Sequence, residues 1–519
     1  MSQSPPPFKS EDGAVYRQNV DRERRGSVAQ APRGLAAWFG GRNTTVGNRI
    51  APVLAGTPID SDTDDSSSAI LNKQIALEEN ASIKYRTCSW QKTAALLFSE
   101  YICLAIMSFP WSYSVLGLVP GLILTVVVAL IVLYTSLVLW EFCLRHPEVR
   151  DVCDIGQMLF WGKKWAWYAT AVMFLLNNTF IQGLHVLVGA KYLNTMTEND
   201  SIACRTVSFG IVVMVICWIC SLPRTFDGLA KIGTWSAVFT FISVLLATVF
   251  SGVMDHPAGY DPVKLGEPIV TAVPVAGTTF VVGLNAFLNI SYTFIGQITL
   301  PSFIAEMKDP RDFPKALWAC TIAEIFVFSI VGAVIYNYTG NQYMTAPAFG
   351  SIGNEVFKKV SFSFMIPTLI FLGVLYASVS ARFIHFRLFK GTRHIHEHTV
   401  TGWLSWAAIL LGTWVLAFII AEVIPFFSSL LSLMSSLFDS FFGFIFWGVA
   451  YFRMRKADGF VLARRKNIGG YFEAALNVLI ILTGLFFLTA GTYASVQAIV
   501  DEFHAGTVGT VFGCASNGL

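Results

Sequence analysis

Apolar residues occur in long runs over most of this chain, and short polar stretches separate one run from the next. A hydrocarbon core of about 30 Å needs roughly 20 helical residues, so each run is long enough to cross a membrane as a helix. Barrel strands would instead show about ten residues of alternating character. The pattern predicts an all-α polytopic membrane protein with about eleven spans. These cover about 93 to 117, 118 to 144, 165 to 190, 206 to 222, 229 to 253, 278 to 306, 314 to 337, 361 to 388, 401 to 421, 424 to 452 and 470 to 498.

Composition agrees with this class and divides the chain into three parts. Of the 519 residues, 54% are hydrophobic and 13% are charged, whereas soluble proteins are roughly 25% charged. Residues 1–92 are rich in Ser, Pro, Gly, Asp and Arg without an apolar period, which predicts a disordered cytosolic tail. Residues 93–498 form the predicted transmembrane domain, and residues 499–519 form a short exoplasmic C-terminal tail.

Basic residues are concentrated in the loops on one side of the predicted spans. The positive-inside rule places that side in the cytosol, so the N-terminus is expected inside and, with eleven spans, the C-terminus outside. The inner loops contain Arg145, Lys163, Lys164, Lys308, Arg311, Lys315, Arg453, Arg455 and Lys456, and the outer loops contain Lys191, Arg205, Lys264, Lys358 and Lys359. Cys204 and Cys514 would share the outer side, and the sequence leaves open whether they form a disulfide.

Two of the predicted spans contain helix-breaking residues in the middle of the membrane. The first span has Pro110, and the sixth has Gly296, Gln297 and Pro301. Irregular backbone at this depth is tolerated only where it is buried in protein or lines a wet cavity. Since Pro suits the first turn of a helix, the open segments are expected at about 105 to 108 and 294 to 299. Paired breaks predict a substrate site, and simple proline kinks are the alternative.

Ionisable residues deep inside spans are costly and point to function. The deepest carboxyl groups belong to Glu100, Glu324 and Asp439, and His185 lies in the third span. Because burial disfavours the charged form of a carboxyl, such a group can take up a proton on one side of the membrane and release it on the other. Glu100 is the strongest candidate, since it lies about two helical turns before the predicted first break. A carboxylate satisfied by neighbouring helices is the structural alternative.

Several stretches resemble the amino acid/auxin permease family of the amino acid, polyamine and organocation (APC) superfamily. "SEYICLAIMSFPWSYSVLGLVPGL" is similar to its first-span signature, and "LPSFIAEMKDPRDFPKAL" to the end of its sixth span. "DVCDIGQMLFWG" and "VIYNYTG" add weaker matches. The resemblance extends from about Arg86 to about Val496 and is strongest to fungal neutral amino acid permeases.

That resemblance implies a LeuT-type fold of two inverted five-helix repeats plus one extra helix, and proton- or sodium-driven uptake of neutral amino acids. It also implies a plasma-membrane location, with the vacuolar membrane as the alternative. The site residues that it implies are Leu104, Ala105, Ile106, Met107 and Ser108 in the first span, Gly296 with Gln297 in the sixth, and Ser378 and Ser380 in the eighth. Relatives usually have Gly where this chain has Ala105.

Physical reasoning gives these residues roles. The main-chain N–H groups of Met107, Ser108 and Phe109 are expected to bind the substrate carboxylate, and carbonyls from Phe294 to Gln297 its ammonium. Aromatic residues nearby would surround an apolar side chain. Glu100, Glu324, Ser378 and Ser380 are the candidates for proton or ion coupling.

Other classes of protein have weaker support in the sequence. A transporter-like nutrient receptor would bind the substrate without moving it. "HIHEH" matches the H-x-x-E-H pattern of zinc peptidases, but it falls in a short basic loop, so no metal site is expected. The sequence shows no cluster of catalytic residues, no phosphate-binding glycine loop and no basic stripe for nucleic acid, and it implies no cofactor.

Overall fold

The structure is a computed structural model that describes residues 35–41, 44, 46–51, 88–149, 151–197, 204–224, 227–390, 392, 394, 399–460, 468–506, 511–514 and 516–519. These residues form helices and no strand. The helices are α1 Leu35–Phe39, α2 Trp90–Tyr101, α3 Phe109–Leu116, α4 Leu118–Arg145, α5 Val152–Leu159, α6 Lys164–Met196, α7 Arg205–Ser221, α8 Asp227–Val253, α9 Phe280–Phe294, α10 Leu300–Glu306, α11 Phe313–Thr339, α12 Glu355–Ser363, α13 Ile366–Leu388, α14 Val400–Val423, α15 Phe427–Ala457 and α16 Ile468–His504.

Many of these helices can cross a membrane, which confirms the all-α polytopic prediction. Among the described residues, eight helical segments are long and apolar enough to span, and the bent pair of α2 with residues 104–116 makes a ninth. Helices α7 and α9 are apolar but shorter. Capping residues explain where several helices begin. The side chains of Ser89, Thr279 and Thr399 accept a hydrogen bond from a backbone N–H in the first turn of α2, α9 and α14, respectively.

The first span is broken earlier than the sequence predicted. Helix α2 ends at Tyr101, and the chain bends by 47° at Ile102 and Cys103, here named the first break. Residues Leu104–Ser108, which were expected to be open, form a 3₁₀ helix that leads directly into α3. The hydroxyl of Ser108 donates to the carbonyl of Ala105 at 2.8 Å and supports that turn. Pro110 lies in the first turn of α3, as predicted.

The second break agrees with its predicted position. Helix α9 ends at Phe294, and residues 295–299, here named the second break, separate it from α10. Pro301 lies in the first turn of α10. Within the break, the N–H of Thr299 donates to the carbonyl of Gly296 at 3.1 Å, and the hydroxyl of Thr299, which has a single hydrogen, lies 2.9 Å from that carbonyl and 3.2 Å from Glu100. Part of the freed backbone is therefore satisfied locally.

A short piece of the N-terminal region packs on the helical domain, which the sequence did not indicate. The backbone of Asn48 accepts a hydrogen bond from Arg145 at 2.8 Å and donates one to Asp458 at 3.2 Å. Asp458 also forms a two-pronged ion pair with the fully buried Arg145, with both distances 2.8 Å. We call residues 46–51 the docking segment. The domain boundaries at 92 and 498 remain predictions.

The C-terminal residues pack against the opposite ends of several helices. Cys204 and Cys514 form a disulfide, which decides the question that the sequence left open. Beyond it, Asn517 contacts two residues near the end of α6: its carbonyl accepts from Lys191 at 3.3 Å and its side chain from Asn194 at 2.8 Å. The N–H of Leu519 donates to Thr195 at 2.9 Å.

Candidate functional site

A small cavity lies where the two breaks meet. Helix ends and break residues from the first and sixth spans form one part of its wall, and side chains from α6, α13 and α15 form the rest. The lining residues are Glu100, Tyr101, Cys103, Asn177, Ile181, Tyr292, Thr293, Ile295, Gly296, Ile298, Tyr376, Asp439 and Phe442.

Glu100 connects three elements around this cavity. Its carboxylate accepts one hydrogen bond from the hydroxyl of Thr299 in the second break and one from Tyr376 in α13, both at 3.2 Å. Glu100 itself lies in the last turn of α2, immediately before the first break. A change in its protonation would alter both bonds, because a carboxylate only accepts hydrogen bonds whereas a carboxyl group also donates one. The carboxyl group of Glu100 therefore joins the last turn of α2 to the second break and to α13.

Gly296 allows the two broken spans to approach closely. A Cβ atom at this position would overlap the ring of Tyr101, at the end of α2. No side chain larger than hydrogen fits there unless the ring moves. The glycine therefore places the second break directly against the first, and both Gly296 and Tyr101 line the cavity.

The predicted first-span residues lie behind the cavity wall. Residues 105–109 are 0% exposed and do not line the cavity. The N–H of Phe109, expected to bind a substrate carboxylate, instead donates to the carbonyl of Ile106 within the helix. Phe109 and Phe294 pack against each other and against Phe328 of α11, with ring centroids 5.1 to 6.1 Å apart. These two aromatic residues hold α3, α9 and α11 together.

The remaining predicted residues also lie outside the cavity lining. Gln297 donates to Thr135 of α4 at 3.1 Å, so its side chain points away from the cavity. Ser380 accepts from Asn178 of α6 at 3.1 Å, while the buried hydroxyl of Ser378 contacts no hydrogen-bond partner among the described residues. Glu324 accepts from the thiol of Cys320, one turn earlier in α11.

The sequence analysis did not identify the two residues that bind Glu100. Thr299 and Tyr376 bind Glu100 from other helices, and nothing in the local pattern reveals such cross-helix pairs. The sequence marks the third span as unusually polar around Asn177 and leaves open whether that stretch lines a cavity or holds helices together; the structure places Asn177 in the cavity lining. Among the described residues, no group of His, Cys, Asp and Glu side chains is arranged to hold a metal ion.

A helical membrane protein with a polar cavity at two broken helices has the architecture of a membrane transporter. Residues 86–497 match the family described as transmembrane amino acid transporter protein, and the chain belongs to that family. It is thus a multi-pass membrane protein of an amino acid transporter family, not an enzyme.

Relatives with curated descriptions support this assignment. The N amino acid transport system protein of Neurospora crassa is 31% identical over 447 residues, covering 86% of this chain and 92% of that protein. A transmembrane transporter of Gibberella moniliformis is 30% identical and covers 90% of this chain and 95% of its own length. The amino acid transporter AVT1J of Arabidopsis thaliana is 22% identical over 85% of this chain and 99% of its own.

Proposed function

We propose that this protein is a proton-coupled symporter that imports neutral amino acids, both aliphatic and aromatic, by alternating access around its two broken helices. The observation that carries the proposal is Glu100, a carboxylate in the cavity wall that binds the second break through Thr299 and α13 through Tyr376. Proton uptake at Glu100 would change both contacts at once. Family membership supports amino acids as the substrates.

The proposed substrate site is centred on the two breaks. Main-chain groups around Cys103 and around Ile295 to Gly296 would bind the α-carboxylate and α-ammonium groups, as transporters with discontinuous helices do. The packed residues 105–109, with Phe294 and Gln297, would form the wall behind them. Glu324, Ser378 and Ser380 remain candidates for coupling, and the buried hydroxyl of Ser378 favours sodium as the alternative ion.

The arrangement that we propose is a LeuT-type fold of two inverted five-helix repeats plus one helix. Among the residues that the structure describes, counting the bent pair and the shorter α7 and α9 as one span each gives eleven spans, which supports this arrangement. The proposed orientation has the N-terminus in the cytosol and the C-terminus outside, in the plasma membrane, with the vacuolar membrane as the alternative. The disulfide between Cys204 and Cys514 supports an outward C-terminus, because disulfides persist in oxidising compartments.

The test is uptake of labelled leucine and phenylalanine into proteoliposomes with an imposed pH gradient, with and without sodium. Wild type is expected to accumulate both substrates when the outside is acidic, independently of sodium. The Glu100→Gln variant is expected to lose at least about 90% of that accumulation and to keep exchange of labelled for unlabelled substrate. The matched control is Glu422→Gln, because Glu422 is a buried carboxyl of α14 outside the cavity lining.

Three results would contradict the proposal in different ways. Accumulation that requires sodium and ignores the pH gradient would assign the sodium alternative. Substrate binding without flux under any gradient would favour a transporter-like receptor. Equal pH-driven uptake by wild type and Glu100→Gln would remove Glu100 from the coupling mechanism.

A further inference from the structure

Asp439 is a second carboxyl in the cavity, and one of its oxygens has no partner. It lies in the middle of α15, where residues Ser435–Ile445 form a π-helix. The residue is 5% exposed and lines the cavity together with Glu100. Its Oδ2 atom accepts no hydrogen bond from any residue that the structure describes. A buried polar atom without a partner is costly, so it points to a ligand that fills the gap.

The π-helix that presents Asp439 is held on several sides. Phe438 packs edge-on against Phe180 of α6, with ring centroids 5.5 Å apart. Ser436 accepts a hydrogen bond from Thr492 of α16 at 3.3 Å. The indole N–H of Trp447 donates to the carbonyl of Phe442 at 2.5 Å, near the end of the π-helical stretch. π-Helical turns are rare in proteins as a whole. Those that do occur are often at functional sites, where they redirect a side chain.

Close packing also brings this helix to the second break. A Cβ atom on Gly443 would lie 2.8 Å from the side chain of Ile295, so the glycine permits the contact. Gly443 follows Asp439 by four residues, about one helical turn. Asp439 is therefore held in the cavity beside the backbone that we assign to the α-groups of the substrate.

The cavity lining contains acidic side chains and no basic one. Two of its lining residues are acidic, Glu100 and Asp439, and no Lys, Arg or His is among them. Glu100 already accepts two hydrogen bonds from hydroxyl groups, whereas the Oδ2 atom of Asp439 accepts none, and the other polar side chains of the lining are uncharged. A buried carboxylate needs a cation or hydrogen-bond donors as partners, or it takes up a proton instead. A positively charged ligand group would therefore be a suitable partner for Asp439.

We propose that Asp439 binds the positively charged side chain of a basic amino acid, so that the cavity accepts lysine-like substrates in addition to neutral ones. This inference rests on the proposed transport function. The α-ammonium and α-carboxylate would be bound by main-chain groups at the two breaks, and the side chain would extend between α6 and α15 to Asp439. Charge-assisted hydrogen bonds to an ammonium or guanidinium group are the strong ones.

Neutral substrates would respond differently to the loss of this carboxylate. A leucine side chain leaves the oxygen of Asp439 unpaired, so leucine gains nothing from its charge. Replacing Asp439 with Asn keeps the shape and removes the charge. The substitution should therefore weaken binding of basic amino acids and leave leucine nearly unchanged or slightly improved.

The experiment is inhibition of labelled leucine uptake by unlabelled lysine, ornithine and arginine in proteoliposomes, comparing wild type, Asp439→Asn and Glu422→Gln. In wild type, the basic amino acids are expected to compete with leucine, and labelled lysine itself to accumulate. In Asp439→Asn, we expect the inhibition constants to rise at least about tenfold, or about 1.4 kcal/mol, with leucine KM within about twofold. Glu422→Gln should behave like wild type. Thermal unfolding of each purified variant checks folding.

The other possible results contradict either this inference or the proposed transport function. No inhibition by basic amino acids in wild type, or equal inhibition in wild type and Asp439→Asn, overturns the inference and leaves the proposed function intact. Loss of leucine uptake in a folded Asp439→Asn variant also overturns it, because Asp439 would then bind the common α-ammonium group or couple protons. Absence of uptake of every amino acid by wild type is instead a failure of the proposed function.

Discussion

At the scale of single residues, the site depends on one position where only a hydrogen atom fits. Gly296 faces the ring of Tyr101 across the two breaks, and both residues line the cavity. The sequence analysis identified Gly296 through the family resemblance, and Glu100 by its depth in a span. It did not identify Tyr101, because the contact joins two residues almost two hundred positions apart.

The Gly296→Ala variant is expected to lose at least about 90% of amino acid uptake, because the added Cβ atom forces the two breaks apart. A displacement of binding groups by about 1 Å can lower a rate about a hundredfold. The matched control is Gly412→Ala in α14, where an added Cβ meets no atom within 4 Å. Initial rates of leucine uptake into proteoliposomes, normalised to reconstituted protein, provide the measurement. If Gly296→Ala transports as fast as Gly412→Ala, the two breaks do not need their close contact.

At the scale of helices, the sequence correctly predicted an all-α polytopic membrane protein but misplaced one break. Long apolar runs and proline positions locate helices and the second break, because these signals are local. The first break falls at Ile102 and Cys103 rather than at 105 to 108. Residues 104–108 are not open, because they form a 3₁₀ helix that continues into α3 just before Pro110. The bonds from Thr299 and Tyr376 to Glu100 depend on helix packing, which no single segment determines.

Helices α4 and α15 are joined at one end by buried charges. Arg145 is fully buried and pairs with Glu141 at 2.6 Å as well as with Asp458. Arg455 pairs with the same two carboxylates, at 2.6 and 3.4 Å. Because each charge has partners on both helices, removal of one carboxylate leaves a buried guanidinium incompletely paired.

The Asp458→Asn variant should therefore be destabilised by about 3 kcal/mol. The control is Asp312→Asn, because Asp312 pairs with Lys315 while their side chains are 25% and 42% exposed. A pair as exposed as this contributes about 0 to 1 kcal/mol. Thermal unfolding of both variants in detergent measures the difference. Equal unfolding midpoints would show that the buried network does not stabilise the joined helix ends.

At the scale of the whole molecule, the docking segment links the N-terminal region to several helices. Besides its contacts with Arg145 and Asp458, the carbonyl of Ala51 accepts from Arg453 of α15 at 2.7 Å. Gly47 lies so close to the guanidinium of Arg145 that an added Cβ would overlap it. The composition of residues 1–92 predicted a disordered tail, because these residues show no apolar period. The docking segment is held by its contacts with the helices, which composition does not reveal.

His146 makes the attachment of this segment sensitive to pH. It follows the end of α4, and its Nε2 accepts the N–H of Ile50 at 3.0 Å, so the docked state needs the neutral ring. Burial lowers the pKa of His146 below its ordinary value of 6.5; Glu148 opposes the shift, and Arg49 and Arg145 add to it. A buried histidine whose pKa is lowered stabilises the docked state at pH values above its ordinary pKa of about 6.5, and that contribution is lost as the pH falls below this value.

Hydrogen exchange of residues 46–51 is accordingly expected to be slow at pH 7.5 and several-fold faster at pH 5.5, after correction for the intrinsic rate. In His146→Leu the ring acceptor is absent, so exchange should be fast at both pH values. His256→Gln is the control, because His256 lies in the loop between α8 and α9 and stacks on Tyr260. Its exchange profile should match wild type. Exchange of this segment that does not change with pH in wild type would show that the backbone contacts to Asp458 and Arg145 hold it without His146.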